Sequence, residues 1–385
     1  MANKPSKRAK KQILNIAFLV ILIAITVTVV FVSQDIDLHD IGNFLAGCNP
    51  WYIVAAFGGL LGFILFEALS LHLIIKRLGR RPKFYSSVAY STSDLYYSAI
   101  TPSATGGQPA SVFYMVRDGV GGGVAGFSVI FNLIAYTVAT VLVGLFAVIA
   151  CPWMFPQMKH WLAQTLVVVG FLIQAVLLAF LILCLLWSNA VLKIGNWGIS
   201  LLAKIRLVKK PDHWREKLAG VVEKYAACRG VIKQHPTLFL SALLFNVAQR
   251  VSQTLIPCFV ILAAQPDTDF LQLFCMQAYV MIGYNSIPLP GGTGVYEYLY
   301  PNIFGIGGFD NTFVFSAMMV SRGISYYICM FVTGIYTLVY HAAGLRSVRA
   351  QAESVKDEKD EMDEKDEKSA ESEEAPAEEQ GEKEE

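Results

Sequence analysis

Apolar residues fill six stretches long enough to cross a bilayer, which takes about 20 helical residues. They are 13–32, 52–75, 125–150, 162–187, 237–264 and 311–342. Two further stretches, 84–100 and 270–287, are shorter, carry interspersed polar groups and end in Gly/Pro-rich strings. The first string runs Thr101-Pro102-Ser103-Ala104-Thr105-Gly106-Gly107-Gln108-Pro109. The second runs Pro288-Leu289-Pro290-Gly291-Gly292-Thr293-Gly294-Val295-Tyr296-Glu297. Proline lacks the amide hydrogen and stops a helix, so each string leaves backbone groups unpaired. Lipid cannot satisfy those groups, and such backbone survives only inside protein or beside a water-filled cavity. Paired breaks at corresponding places are a sequence-level pointer to a transporter's binding site.

Composition agrees with a membrane class. Charged residues make up 16% and hydrophobic residues 55%, with mean hydropathy +0.48; soluble domains carry roughly 25% charged residues. The net charge of +1 hides an asymmetry. From Glu353 to Glu385 stand 17 acidic residues against 5 Lys, a net of −12, while the remainder has 26 basic against 13 acidic residues, a net of +13.

Lys and Arg orient the spans, because cytoplasmic loops carry the excess. Residues 1–12 carry five and loop 76–83 another five, which places both inside. Loop 33–51 and loop 265–269 carry none, and loop 151–161 carries one, which places these outside. Residues 188–236 are rich in Lys and Arg and lie inside, and Arg346 and Arg349 put the C-terminus inside. These placements agree only if 84–124 enters and leaves on the cytoplasmic face and 269–308 on the outer face. The expectation is an all-α polytopic membrane protein with six spanning helices and two re-entrant hairpins. It forms an inverted repeat, with unit one at 52–150 and unit two at 237–342.

The flanking regions read as follows. Residues 1–12 are a basic cytoplasmic N-terminus, and 13–345 are the membrane domain. The first apolar run, of about 20 residues, exceeds the 7–15 of a signal-peptide core and is expected to be retained as a span. The stretch 188–236 is a basic amphipathic connector, open to two readings: a membrane-surface helix on anionic lipid or a plain cytoplasmic link. Residues 346–385 form an acidic tail too polar to bury a core.

Candidate chemistry rests on the intramembrane ionisable residues Glu67, Asp94, Arg250, Glu297 and Arg322. Charges at this depth are expensive, face the bundle interior and mark pathways or partners. Arg250 and Arg322 suit an anionic group such as a lipid phosphate, which a guanidinium meets bidentately. Glu67 and Glu297 would then hold the arginines or a cationic headgroup; static acid–arginine pairs are the alternative. Gly106 and Gly107, with Gly291, Gly292 and Gly294, would let backbone amides approach a headgroup; turning the hairpins is their structural reading. Thr101, Gln108, Pro288 and Pro290 complete the candidate binding set. Among the hairpin tyrosines, Tyr298 and Tyr300 read as interfacial anchors. Six scattered His, and seven Cys (at 48, 151, 184, 228, 258, 275 and 329) without paired spacing, suggest no metal, cofactor or redox site. No nucleophile elbow or P-loop occurs, so an enzyme is not expected.

Pro288-x-Pro290-Gly291-Gly292-x-Gly294-x-x-Glu297 and Thr101-Pro102…Gly106-Gly107 resemble the two signature strings of the lysylphosphatidylglycerol synthase transmembrane family, also called flippase-like. The resemblance covers roughly residues 10–345. Where members often carry an acidic residue after the paired glycines of the first string, Gln108 stands here. The resemblance implies a protein of the bacterial cell membrane that moves lipids or lipid-linked molecules between leaflets. In two-part members a soluble C-terminal domain attaches an amino acid to phosphatidylglycerol. The acidic tail stands in that place here, so lipid aminoacylation is expected to be absent. The working expectation is a phospholipid flippase or translocase with no cofactor. Its partners are membrane lipids with an anionic headgroup and no nucleic acid. A homo-oligomer and a cytoplasmic partner for the acidic tail are left open. The alternatives are a transporter of a small soluble anion and a non-catalytic membrane scaffold for an enzyme in trans.

Overall fold

The computed structural model describes residues 38–101, 104–204, 211–285 and 289–344. The first expected span (13–32), the basic N-terminus, Pro102, Pro288 and the acidic tail lie outside the described residues. The chain divides into two compact units, Met1–Gly334 and Ile335–Glu385. In the second, residues 335–344 are helical.

Five helices among the described residues are long and apolar enough to cross a membrane. They are α2 (Pro50–Arg77), α5 (Gly122–Ala150), α6 (Trp161–Leu186), α9 (Pro236–Ala264) and α12 (Asn311–Gly344). Each coincides with one of the apolar runs. Local chemistry fixes their starts. Asn49 accepts a hydrogen bond from the Trp51 amide at 3.1 Å, with Pro50 in the first turn of α2. Asp310 accepts from the Thr312 amide at 3.0 Å at the start of α12. Both satisfy amides that a helix start leaves orphaned.

The two shorter stretches form paired helices joined by a break. In the first pair, α3 (Phe84–Ile100) packs against α4 (Gly107–Arg117). In the second, α10 (Phe270–Tyr284) packs against α11 (Val295–Phe304). Three further helices are α1 (Leu38–Gly47), α7 (Ser188–Lys204) and α8 (Pro211–Gln234). Helices α7 and α8, from the connector, pack on each other, with Val191 and Val222 buried between them.

Lipid gives helices no hydrophobic reason to associate, so close backbone approach and interhelical hydrogen bonds do the work. The most extensive helix interface is α2 on α9, the leading helices of the two sequence units. A Cβ at Gly59 would stand 2.9 Å from the Ser252 carbonyl oxygen, and one at Gly62 would stand 2.7 Å from the Ser252 hydroxyl. Above this contact a buried polar cluster joins three helices. Ser70 donates to Asn132 Oδ1 at 2.6 Å, and Asn246 Nδ2 reaches Ser70 Oγ at 3.1 Å and Asn132 Oδ1 at 2.9 Å. These bonds pin α2, α5 and α9 around the space described next.

Candidate functional site

The second break is built around Arg322. The backbone at Gly291, Gly292 and Gly294 has φ of 58°, 65° and 86°, a left-handed region that side chains with a Cβ enter only under strain. Arg322, on α12, closes this turn. Its Nε donates to Glu297 Oε1 at 3.0 Å, and its Nη2 donates to the Gly291 carbonyl at 2.7 Å and to Thr293 Oγ1 at 3.3 Å. The other carboxylate oxygen, Glu297 Oε2, accepts from the Gly294 amide at 2.6 Å and so caps α11. Tyr296 and Tyr326 lie over the guanidinium, 4.7 and 4.4 Å from it. Arg322 and Glu297 are only 5% and 9% exposed. This is the static acid–arginine pair: it holds the break to α12. Immediately after it, residues 323–328 widen into a π-type turn, a distortion that recurs at functional sites.

The first break is held by hydrogen bonds of Thr101. Thr101 Oγ1 donates to the Tyr97 carbonyl at 2.6 Å and accepts from the Gly106 amide at 2.9 Å, tying the end of α3 to the approach of α4. Gly107 is the contact point of the two arms. A Cβ there would collide with the Asp94 carboxylate, the Ser98 hydroxyl and the Asp94 carbonyl. Gly107→Ala is therefore expected to force the arms apart and destabilise the protein by about 1–3 kcal/mol, read as a lowered Tm in detergent. An unchanged Tm would show that the arms give way freely.

Between the two breaks lies a cavity of ≈ 480 Å³. Ala104 and Gln108 line it from the first break, and Leu289, Gly291 and Gly292 from the second. Glu67 of α2, Asp94 of α3 and Arg250 of α9 also line it. A smaller pocket of ≈ 90 Å³ adjoins Arg322, Tyr296 and Gln277. Thus Arg250, Glu67, Asp94, Gln108, Gly291 and Gly292 share one cavity. Thr101, Gly106, Gly107, Gly294, Glu297 and Arg322 shape its frame instead. Pro290 contributes backbone to the second break.

Arg250 differs from Arg322. It is 3% exposed, and its Nε has no hydrogen-bond partner among the described residues. The Phe63 and Tyr136 rings lie 5.3 and 4.3 Å from it, two cation–π contacts. None of the ion pairs among the described residues includes it. Arg250 thus lines the cavity as a desolvated guanidinium whose Nε is unpartnered among the described residues, which suits an incoming oxyanion.

Several lining residues escape a residue-by-residue reading, yet a signal for them exists. Asn246, Gln249, Arg250 and Gln253 stand at i, i+3, i+4 and i+7, one polar stripe on the apolar helix α9. Arg322, Ser325, Tyr326 and Cys329 repeat that spacing on α12. One expectation is corrected. Tyr300 is fully buried and stacks on Phe304 with centroids 4.0 Å apart; it is core, because α11 folds back against α10 and α12 rather than lying at an interface. Tyr298 is half-buried. His72 lies 3.0 Å from Ser87 Oγ at hydrogen-bond distance and packs edge-on to Phe84.

Five helices long and apolar enough to span, with two broken helix pairs that both line one cavity, define a polytopic membrane protein. Residues 13–333 match the model of the family described as the lysylphosphatidylglycerol synthase TM region, and the chain belongs to that family. It is also similar to a UPF0104 membrane protein of Archaeoglobus fulgidus, at 25% identity over 292 residues, covering 73% of this chain and 85% of that protein.

Proposed function

We propose that this protein is a lipid flippase that moves a phospholipid or lipid-linked molecule between leaflets, its headgroup passing through the cavity between the two breaks. The observation that carries this reading is Arg250: a buried guanidinium with an unpartnered donor, facing a cavity that both breaks line. An anionic phosphate supplies what that donor lacks. The acyl chains remain in lipid while the headgroup crosses. The sequence carries no nucleotide-binding motif, so movement is downhill or driven by a gradient. The protein acts without a cofactor and is not an enzyme in this reading.

The topology proposed with it has six spans in the plasma membrane, both termini cytoplasmic, and the two helix pairs re-entrant from opposite faces as an inverted repeat. The pairing of α2 with α9, the leading helices of the two units, supports such a relation. Single cysteines at positions 268 and 308, on a Cys-free background, are expected to react with an impermeant reagent from outside in equal measure. Reaction at only one of them means that 269–308 crosses the membrane, and the inverted repeat is lost.

The functional test uses proteoliposomes carrying a fluorescent anionic phospholipid and, separately, a radiolabelled soluble anion. Flipping of the lipid without flux of the soluble anion supports the reading. Flux of the soluble anion alone makes the protein an anion transporter, and neither activity from folded protein favours a scaffold.

A further inference from the structure

The anion reading leaves the acidic side of the cavity unaccounted for. Glu67 and Asp94 line it from α2 and α3, and the ion pairs among the described residues include neither. Glu67 Oε2 accepts from Gln249 Nε2 at 2.9 Å, and Asp94 Oδ1 accepts from Ser98 Oγ at 3.1 Å. Because the Gln249 amide nitrogen faces Glu67, its oxygen is the free end. Gln249 is 1% exposed, and Oε1 has no hydrogen-bond partner among the described residues. Gln253, one turn along α9, leaves its Oε1 buried and unpartnered too. Both glutamines line the cavity.

The residues that line the cavity therefore bring two carboxylates and two buried, unpartnered amide oxygens, against one guanidinium. The other titratable groups facing Glu67 and Asp94 are Tyr136 of α5, Tyr284 of α10, and Tyr326 and Cys329 of α12. Phenols and thiols carry no positive charge in either protonation state, and among the described residues no Lys or His lines the cavity. With both carboxylates ionised the site carries one net negative charge. A monoanionic headgroup at Arg250 would make it two. Added charge at this depth is costly, and one cation bound with the headgroup returns the site to the charge it carries without a ligand; an all-oxygen ligand set suits a hard cation.

We propose that Glu67, Asp94 and the side-chain oxygens of Gln249 and Gln253 form a coupling-cation site, which takes one H⁺ or Na⁺ for each anionic headgroup held at Arg250. This rests on the reading of Arg250 as the headgroup's partner. Linkage makes the coupling reciprocal: the cation raises the affinity for the anion by the same factor that the anion raises the affinity for the cation.

The test measures binding of a short-chain phosphatidylglycerol, whose headgroup has no amine, to the purified full-length protein in detergent. One arm varies pH at fixed salt; the other replaces choline by Na⁺ at fixed pH and ionic strength. Affinity is expected to rise about tenfold on acidification if the cation is H⁺, or on Na⁺ addition if it is Na⁺. Glu67→Gln and Asp94→Asn, which remove a negative charge, are expected to lose that dependence. Wild-type affinity indifferent to both cations, or variants that keep the full dependence, would overturn the proposal. Thermal stability is followed in the same samples. If no lipid binds, a cation-dependent Tm in wild type that is lost in the variants upholds the cation site and removes the anionic-lipid reading. A Tm independent of both cations in that case removes both.

Discussion

Arg322→Ala is expected to destabilise the protein by about 3–5 kcal/mol, the usual cost of deleting one partner from a buried ion pair. The side chain holds three separate parts of the second break: the Glu297 carboxylate, the Gly291 carbonyl and the Thr293 hydroxyl. Its loss strands Glu297 at 9% exposure without a cation. It also leaves three left-handed glycines untied from α12. Tm in detergent should fall sharply, and protease should cut near 289–294. Arg322→Lys keeps the charge but loses the planar fork, so it should fall between wild type and alanine. If Arg322→Ala keeps the wild-type Tm while anionic-lipid binding disappears, Arg322 is a ligand-binding residue and not a structural tie.

Arg250→Met is expected to do the opposite. Methionine fills much of the space between Phe63 and Tyr136, and its flexible thioether packs well against aromatic rings. It removes the charge and the unpartnered Nε. A hydrogen bond to a charged group contributes about 1.5–3 kcal/mol, which corresponds to a roughly 10- to 150-fold loss of headgroup affinity. The fold should survive, because none of the described ion pairs or hydrogen bonds depends on the Arg250 side chain. The two arginines thus separate by readout: Arg322 through stability, Arg250 through ligand.

That separation was not legible in the sequence. Both arginines stand in apolar helices and looked alike as candidate anion ligands. What distinguishes them is a neighbour distant in the chain: Glu297 folds back to Arg322 across 25 residues, whereas among the described residues no ion pair includes Arg250. The helices themselves were legible, because apolar runs and cap residues are local. The run 52–75 became Pro50–Arg77 and 237–264 became Pro236–Ala264, each extended by its own proline start. The breaks were legible because proline and clustered glycine act locally on the backbone. Both strings contribute residues to one cavity, a convergence of segments distant in the chain that only the fold brings about. The Ser70–Asn132–Asn246 cluster was out of reach, since its members lie 62 and 114 positions apart and none is chemically conspicuous alone. The place of Tyr300 is hidden for a related reason. A tyrosine near a helix end carries the same signal at an interface and in a core, and only the fold of α11 onto α10 decides.

The most direct test of a lipid path through this cavity is headgroup-resolved scrambling in proteoliposomes, wild type against Arg250→Met, with protein of matched Tm. Wild type should move an anionic phospholipid between leaflets, and the variant should move it about 10- to 100-fold more slowly, in keeping with the loss of one charge-assisted contact. Equal rates for the two proteins, or no scrambling by folded wild type, would contradict the account.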